Sequence, residues 1–339
     1  MNKNITKILA ALLAFATITG CVGPDRQPVI IGTATPDIEV KRGIPIRASP
    51  DTAIFLGSGT AGLAVGDGAV WVLQGGKLLK INPVSNQILA TFPDIHGASL
   101  AVGGGAVWVP IRFWLNFHLQ RIDPNTGQVN AIISTSSWSV TVGAGSVWVT
   151  DLRKRKASRI APQKNQIVST FDLGPGPFGM HRAAVAAGEG AVWVLYEGTL
   201  SRIDPNTDTI VATVRLGGSS LGHNLAVGEG GVWVGKGEHL LLIDPASNQV
   251  VRPILIGNAY ADAAWGYAAW WVTVGGGAVW VASRFYVAKV DPQSGRVIER
   301  IRIPGNVNYD LEMVASEGAL WVIRQGGDTL WRIDFQPTK

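Results

Sequence analysis

An all-β fold is what this sequence predicts, on three observations. The chain has 339 residues, of which 42 are Gly and only 16% are charged, where about 25% is usual for a soluble domain. A string of the form Ala-Val-Gly-x-Gly-Ala-Val-Trp-Val recurs seven times. A second string, centred on Asp-Pro, follows each copy. Gly-rich, helix-poor units of short strands and tight turns, repeated at a period near 40 residues, make a seven-bladed β-propeller of four-stranded blades over residues 46–339.

The first string reads LAVGDGAVWV at 63–72, LAVGGGAVWV at 100–109, VTVGAGSVWV at 140–149 and VAAGEGAVWV at 185–194. It continues as LAVGEGGVWV at 225–234, VTVGGGAVWV at 272–281 and MVASEGALWV at 313–322. Its tryptophans are Trp71, Trp108, Trp148, Trp193, Trp233, Trp280 and Trp321, spaced 37, 40, 45, 40, 47 and 41 residues apart. One Trp per unit is the pattern of a packing residue. The Gly-x-Gly strings read as hairpins and not as phosphate loops, because no helix follows them.

The second string reads KINPVSNQ from Lys80, RIDPNTGQ from Arg121, RIAPQKNQ from Arg159, RIDPNTDT from Arg202, LIDPASNQ from Leu242, KVDPQSGR from Lys289 and RIDFQPTK from Arg332. Pro presets φ, the Asp side chain caps the turn, and Gly or Asn accepts a positive φ. Each unit therefore resolves into strand a, a Gly-rich hairpin, strand b with the Trp, a variable loop, strand c, the Asp-Pro turn, and strand d. Val, Ile and Trp dominate these runs. The last unit stops after strand c. The stretch Thr52–Gly57 resembles a strand d and is expected to complete the seventh blade, removing an exposed edge.

Ahead of the repeats, Lys3 and Lys7 precede an apolar run of 11 residues, Ile8–Ile18. That run is too short to span a bilayer and reads, with the rest of residues 1–20, as a signal peptide. Ile18-Thr19-Gly20-Cys21 resembles the bacterial lipobox. Cys21, the single cysteine, becomes the lipidated N-terminus, an acyl (palmitate-type) anchor in which each buried CH₂ contributes about 0.8 kcal/mol. The next residue is Val22 and not Asp, which in a Gram-negative host resembles the outer-membrane sorting pattern. Residues 21–45, with Pro24, Pro28, Pro36 and Pro45, read as a flexible tether. The net charge of +5 falls to +3 without Lys3 and Lys7, and there is no basic stripe, so nucleic acid is not an expected partner.

The repeats resemble the YVTN/YncE-like and streptogramin-lyase-like propeller families over about residues 50–339. The resemblance implies the fold, and, through the lyases, a metal held over the channel. In that family a Glu commonly follows the blade tryptophan in a Trp-Phe-Thr-Glu-type string. Here the strings are WVLQ, WVPI, WVTD, WVLY, WVGK, WVAS and WVIR.

Function is expected on the d–a and b–c loops, which share one face in a propeller. The d–a loops carry His96, His181 and His223 at near-equivalent positions, with Tyr309 and Asp310 in the seventh blade's version. Histidines converging from several blades could hold a divalent metal or move protons. The b–c loops carry Arg112, Phe113, Trp114 and Phe117 in blade 2, Arg153, Lys154, Arg155 and Lys156 in blade 3, and Arg284, Phe285 and Tyr286 in blade 6. Arg beside aromatic rings suits anionic or sugar-containing ligands. The long connection Asn258–Trp271 carries five aromatics, which suit a contact surface or a plug. The weight lies with a non-catalytic binding or scaffold lipoprotein of the cell envelope, held to the membrane by its lipid and engaging an envelope protein or polymer. The alternative is a metal-dependent lyase or hydrolase resembling the streptogramin lyases.

Overall fold

The structure, a computed structural model, describes residues 46–113, 116–151, 154–174, 183–217, 221–256, 271–283, 285–305, 310–316 and 318–335. The side chains of residues 46, 112, 113, 116, 138 and 221–224 lie outside that description. So do the signal-peptide and tether segments. The described residues form seven four-stranded antiparallel sheets with no helix.

Strands a to d run Thr60–Gly66, Ala69–Gln74, Lys77–Ile81 and Ile88–Phe92 in blade 1, and Ala101–Gly103, Ala106–Phe113, Asn116–Ile122 and Val129–Ser134 in blade 2. Blade 3 is Ser137–Gly143, Ser146–Asp151, Lys156–Ala161 and Gln166–Asp172. Blade 4 is Ala183–Gly188, Ala191–Tyr196, Thr199–Asp204 and Thr209–Arg215. Blade 5 is Leu221–Gly228, Gly231–Lys236, His239–Asp244 and Gln249–Leu255. Blade 6 is Trp271–Gly275, Ala278–Ala282, Tyr286–Val290 and Val297–Arg302. Blade 7 takes strands a to c from Leu311–Ser316, Ala319–Arg324 and Thr329–Asp334.

The seventh blade closes as expected. Thr52–Phe55 pairs antiparallel with Thr329–Asp334, with Thr52 opposite Arg332 and Phe55 opposite Thr329. Successive strands a pack against one another around the ring, and that of blade 7 meets that of blade 1. One pairing was not anticipated. Ile46–Arg47 adds a short parallel strand to the outer edge of blade 6, opposite Arg300 and Ile301. Arg47 holds it there by pairing with Glu299 at 3.4 Å and Asp51 at 2.9 Å.

The core lies between blades, because both faces of each sheet pack on a neighbour. Trp148 and Ala157 of blade 3 join Val185, Val192, Val194 and Ile203 of blade 4 in one apolar cluster. All seven signature tryptophans are 0–1% exposed. The Gly five residues before most of them is fixed by close approach. A Cβ on Gly66 would stand 2.7 Å from Val102, and one on Gly143 only 2.3 Å from Ala187, both on the next blade's strand a. The carbonyl of that Gly accepts the Trp indole N–H, at 3.1 Å for Trp71 and Trp148 and 2.9 Å for Trp233.

Blades are also tied together by a polar latch built from the second string. Its leading cation lies over the Trp of its own blade, Arg121 over Trp108 at 5.7 Å and Arg202 over Trp193 at 5.7 Å. The same cation then reaches the c–d turn of the next blade. Arg121 donates to Asn165 Oδ1, Arg202 to Asn248 Oδ1, and Lys80 to the Pro124 carbonyl. Arg159 donates to the Pro205 carbonyl and to Asp208 Oδ1, at 2.9 and 2.8 Å. Arg332 closes the circle onto Asn86 Oδ1 of blade 1 at 3.0 Å. Each acceptor side chain belongs to the left-handed residue of its turn (φ 61 at Asn86, 54 at Asn165, 53 at Asp208, 59 at Asn248). Gly or Asx is needed there for φ, and Asx adds the acceptor.

Deleting residues 46–57 removes the outer strand of blade 7 together with the Arg47 clamp. The truncated chain is expected to self-associate in analytical ultracentrifugation and to melt at a lower temperature. A monomer of unchanged stability would contradict closure by this strand.

Candidate functional site

The d–a and b–c loops lie on one face and are hydrogen-bonded to each other blade by blade. Just past strand d a residue donates its N–H to a carbonyl of its own blade's b–c turn. Examples are Ile95 to Gly76, Leu173 to Arg155, Leu216 to Gly198 and Ile303 to Phe285, all between 2.8 and 2.9 Å. In four blades the last residue of strand b adds a side-chain clamp, and it is a different residue in each. Gln74 donates to the Ser58 carbonyl, Lys236 to that of Leu216 and Arg324 to that of Ile303. Asp151 instead accepts the N–H groups of Ser136 and Lys154.

The blade 3–4 seam departs most from this scheme. Side chains alternate along a strand, so Thr150, two residues after Trp148, faces blade 4, and Tyr196, two residues after Val194, faces blade 3. Both are buried, Thr150 at 0% and Tyr196 at 2% exposure. Neither hydroxyl has a hydrogen-bond partner among the described residues. The residues equivalent to Thr150 are Leu73, Pro110, Leu195, Gly235, Ala282 and Ile323, all without a polar side chain. This seam therefore holds two buried hydroxyls, one from each blade, that are unpaired among the described residues, and such groups cost free energy until something bonds them.

Two b–c turn residues flank the seam. Arg155 of blade 3 and Glu197 of blade 4 both adopt a positive φ, 55 and 48, unusual for non-Gly residues and concentrated at functional sites. Burial and the nearby Glu197 charge raise the Tyr196 phenol above its ordinary value, with Arg155 opposing them. The phenol is a hydrogen-bond donor at physiological pH and not a base. Asp151 is committed to its two backbone N–H groups, and no base sits beside Thr150 in the bonds described. Buried hydroxyls of this kind can donate to or accept from a polar group.

Other expected residues are placed as follows. His96 is exposed on the blade 1 d–a loop and packs on the b–c turn, so close to Gly76 that a Cβ there would lie 2.6 Å from its Cε1. His181, Trp114, Arg153, Arg284, Tyr309 and Cys21 lie outside the described residues, as do the side chains of His223 and Arg112. Among the described residues no three His, Cys, Asp or Glu side chains gather as metal ligands. Tyr286 heads strand c of blade 6 beside Phe285, ring centroids 6.4 Å apart, in a turn tied by Ser283. Of the aromatics between blades 5 and 6 only Trp271 is described. It packs against the blade 6–7 core and donates to the Met313 carbonyl at 2.9 Å.

Thr150 and Tyr196 are not among the residues the sequence marks out, because neither matches the Glu that the lyase-type string places after the blade tryptophan. Thr150 stands where the other six units carry an apolar residue or Gly, and Tyr196 is the aromatic residue at the position of Gln74, Ile111, Asp151, Lys236, Ser283 and Arg324.

The chain resembles solved structures at low identity. It matches virginiamycin B lyase from Staphylococcus aureus with a TM-score of 0.66 and 16% identity, covering 84% of this chain and 99% of that one. It matches BamB from Moraxella catarrhalis at a TM-score of 0.58 and 12% identity, covering 81% and 85%. It matches U3-55K at a TM-score of 0.66 and 12% identity, covering 84% and 100%. These likenesses concern the propeller fold. No family model and no curated protein sequence matches the chain.

A buried carboxyl on the blade 7–1 seam gives a pH test. Glu312 is 4% exposed and its Oε1 accepts the Leu63 N–H at 3.0 Å across the seam. Burial pushes its carboxyl up to about 8, against the opposing influence of the Leu63 N–H and the Gln325 side chain. The ordinary value is 4.5, so folding takes up a proton between the two. Stability should fall as pH rises from 4.5 towards 8 and then level, because the unfolded chain is free to ionise. Urea unfolding at intervals across this range should show the decline, by at least about 1 kcal/mol. Glu312→Gln should flatten it. An unchanged slope in that variant would contradict the assignment.

Proposed function

We propose that this chain is a cell-envelope lipoprotein of YncE-like type, anchored through Cys21 and a tether over residues 21–45. Its propeller binds an envelope protein or polymer through the face that carries the d–a and b–c loops. The b–c turns that flank the blade 3–4 seam, with Arg155 and Glu197, are the centre of that surface, and Thr150 and Tyr196 are buried in the seam beside them.

One observation carries this reading. On the opposite face the repeat residues recur from blade to blade and are used up in holding the ring together. On the loop face the residue three after the Trp changes in every blade: Gln74, Ile111, Asp151, Tyr196, Lys236, Ser283 and Arg324. A face freed from the repeat is the one able to specialise. The basic residues Lys154, Arg155 and Lys156 beside this seam suit an anionic or hydroxyl-rich partner surface.

Photo-crosslinking residues placed at Lys154, Arg155 and Tyr286 should trap the same envelope component in intact cells. A probe at Asn125, on the opposite face, should not. Arg155→Glu should lower the yield from the other two positions at least tenfold. Equal trapping from both faces, or none from the loop face, would contradict the reading. Cys21→Ser should move the protein from the membrane fraction to the soluble one.

A further inference from the structure

The c–d turn of blade 3 has lost a carboxylate that its sister turns carry. In blade 2, Asp123 Oδ1 accepts the N–H groups of Asn125 and Thr126 at 2.8 and 3.0 Å. In blade 1, Asn82 Oδ1 does the same for Val84 and Ser85. Asp204 accepts from Asn206, Asp244 from Ala246 and Ser247, and Asp291 from Ser294. These bonds favour the anion. The N–H groups of Asn125 and Thr126 hold Asp123 below its ordinary value. Ser247, with the Ala246 N–H, does so for Asp244, and Ser294 for Asp291.

Blade 3 has Ala161 at this position. The turn keeps its backbone closure, Asn165 N–H to the Ala161 carbonyl at 2.9 Å, as in the other five turns. The Lys164 N–H turns to the same carbonyl at 3.1 Å, and the Gln163 N–H meets no acceptor among the described residues. Lys164 itself replaces the Ser or Thr found at 85, 126, 207, 247 and 294. Relative to an Asp-containing turn, one negative charge is lost and one positive charge is gained at the same spot.

A cleft of about 760 Å³ opens here, lined by Arg159, Ala161, Pro162, Gln163, Lys164 and Asp208 among others. Asp208 does not cancel its basic character, because that carboxylate is already taken by Arg159 at 2.8 Å and by Ser169 at 2.6 Å. Burial acts to raise it, yet those two bonds hold it below its ordinary value, so it stays paired and ionised.

We propose that this cleft binds a carboxylate, which takes the place that the Asp side chain fills in the sister turns, accepting from the Gln163 N–H and pairing with Lys164. The site is on the face opposite the loop face and stands independently of the partner-binding reading. Backbone N–H groups in a turn, backed by one cation, make an anion-binding concavity. The shape of the turn suits a planar carboxylate because a carboxylate occupies it in four other blades.

The test is an NMR titration of the full ¹⁵N-labelled chain with succinate, with sodium chloride at matched ionic strength as the control. The Gln163 and Lys164 amide signals should shift saturably with succinate and not with chloride. Titration with a capped acidic tetrapeptide then distinguishes the sources. Tighter binding of the peptide assigns the site to an acidic segment of a protein, and tighter binding of succinate assigns it to a small acid. Ala161→Asp installs the missing carboxylate and should weaken succinate at least tenfold, while Lys164→Ala should weaken it at least threefold. Unmoved Gln163 and Lys164 signals, or an Ala161→Asp protein that binds as the parent does, would overturn the proposal. Should Ala161→Asp not fold, the parent titration and Lys164→Ala decide it.

Discussion

A cation held between its own tryptophan and the next blade's turn is the interaction on which the rest of this structure depends. Apolar packing alone would bring blades together without fixing their angle. The latch fixes it, because Arg159 must lie over Trp148 at 5.8 Å and reach Asp208 at 2.8 Å at once. Cation–π contact contributes about 0.5–1 kcal/mol when exposed and more when desolvated. A charge-assisted hydrogen bond adds to it. Repeated around the circle, small terms of this kind set the pitch from blade to blade, and the strand Thr52–Phe55 completes the last blade.

The latch also explains why the two faces differ. On the turn face, the left-handed residue must be Gly or Asx for its φ, and Asx doubles as the acceptor. Sequence there is constrained twice, by conformation and by partner. Blade 5 shows the tolerance of the scheme. Leu242 replaces the cation, and Arg252 of strand d reaches the Pro292 and Gln293 carbonyls of the next turn in its stead. On the loop face the clamps between strand b and the d–a connection use whatever side chain is present, so sequence is free to vary. That freedom is the ground on which the proposed binding surface, at Arg155 and Glu197, rests.

The fold was legible because its determinants are local and repeated. The Trp string, the Asp-Pro turn and the missing last strand d specify blades and closure without any long-range knowledge. The parallel strand Ile46–Arg47 was not legible, since two residues carry no periodicity and the pairing depends on Glu299 far along the chain. The candidate site was half legible. Arg155 stood out as part of a basic run. Thr150 and Tyr196 did not, because their burial in the seam between two blades is a property of the assembled ring. Glu312 reads as one more charged residue until its burial against Leu63 is seen.

A double-mutant cycle on the latch tests the central claim most directly. Arg159→Leu and Asp208→Gly introduce residues that sister blades already carry at those positions, Leu242 and Gly127, so each variant keeps the turn and strand geometry. Unfolding free energies of the two single variants and the double variant give the coupling between blades 3 and 4. A favourable coupling of about 1 kcal/mol or more is predicted for this partly exposed pair. Additive effects, with a coupling below about 0.3 kcal/mol, would contradict the latch as the element that holds the ring in register.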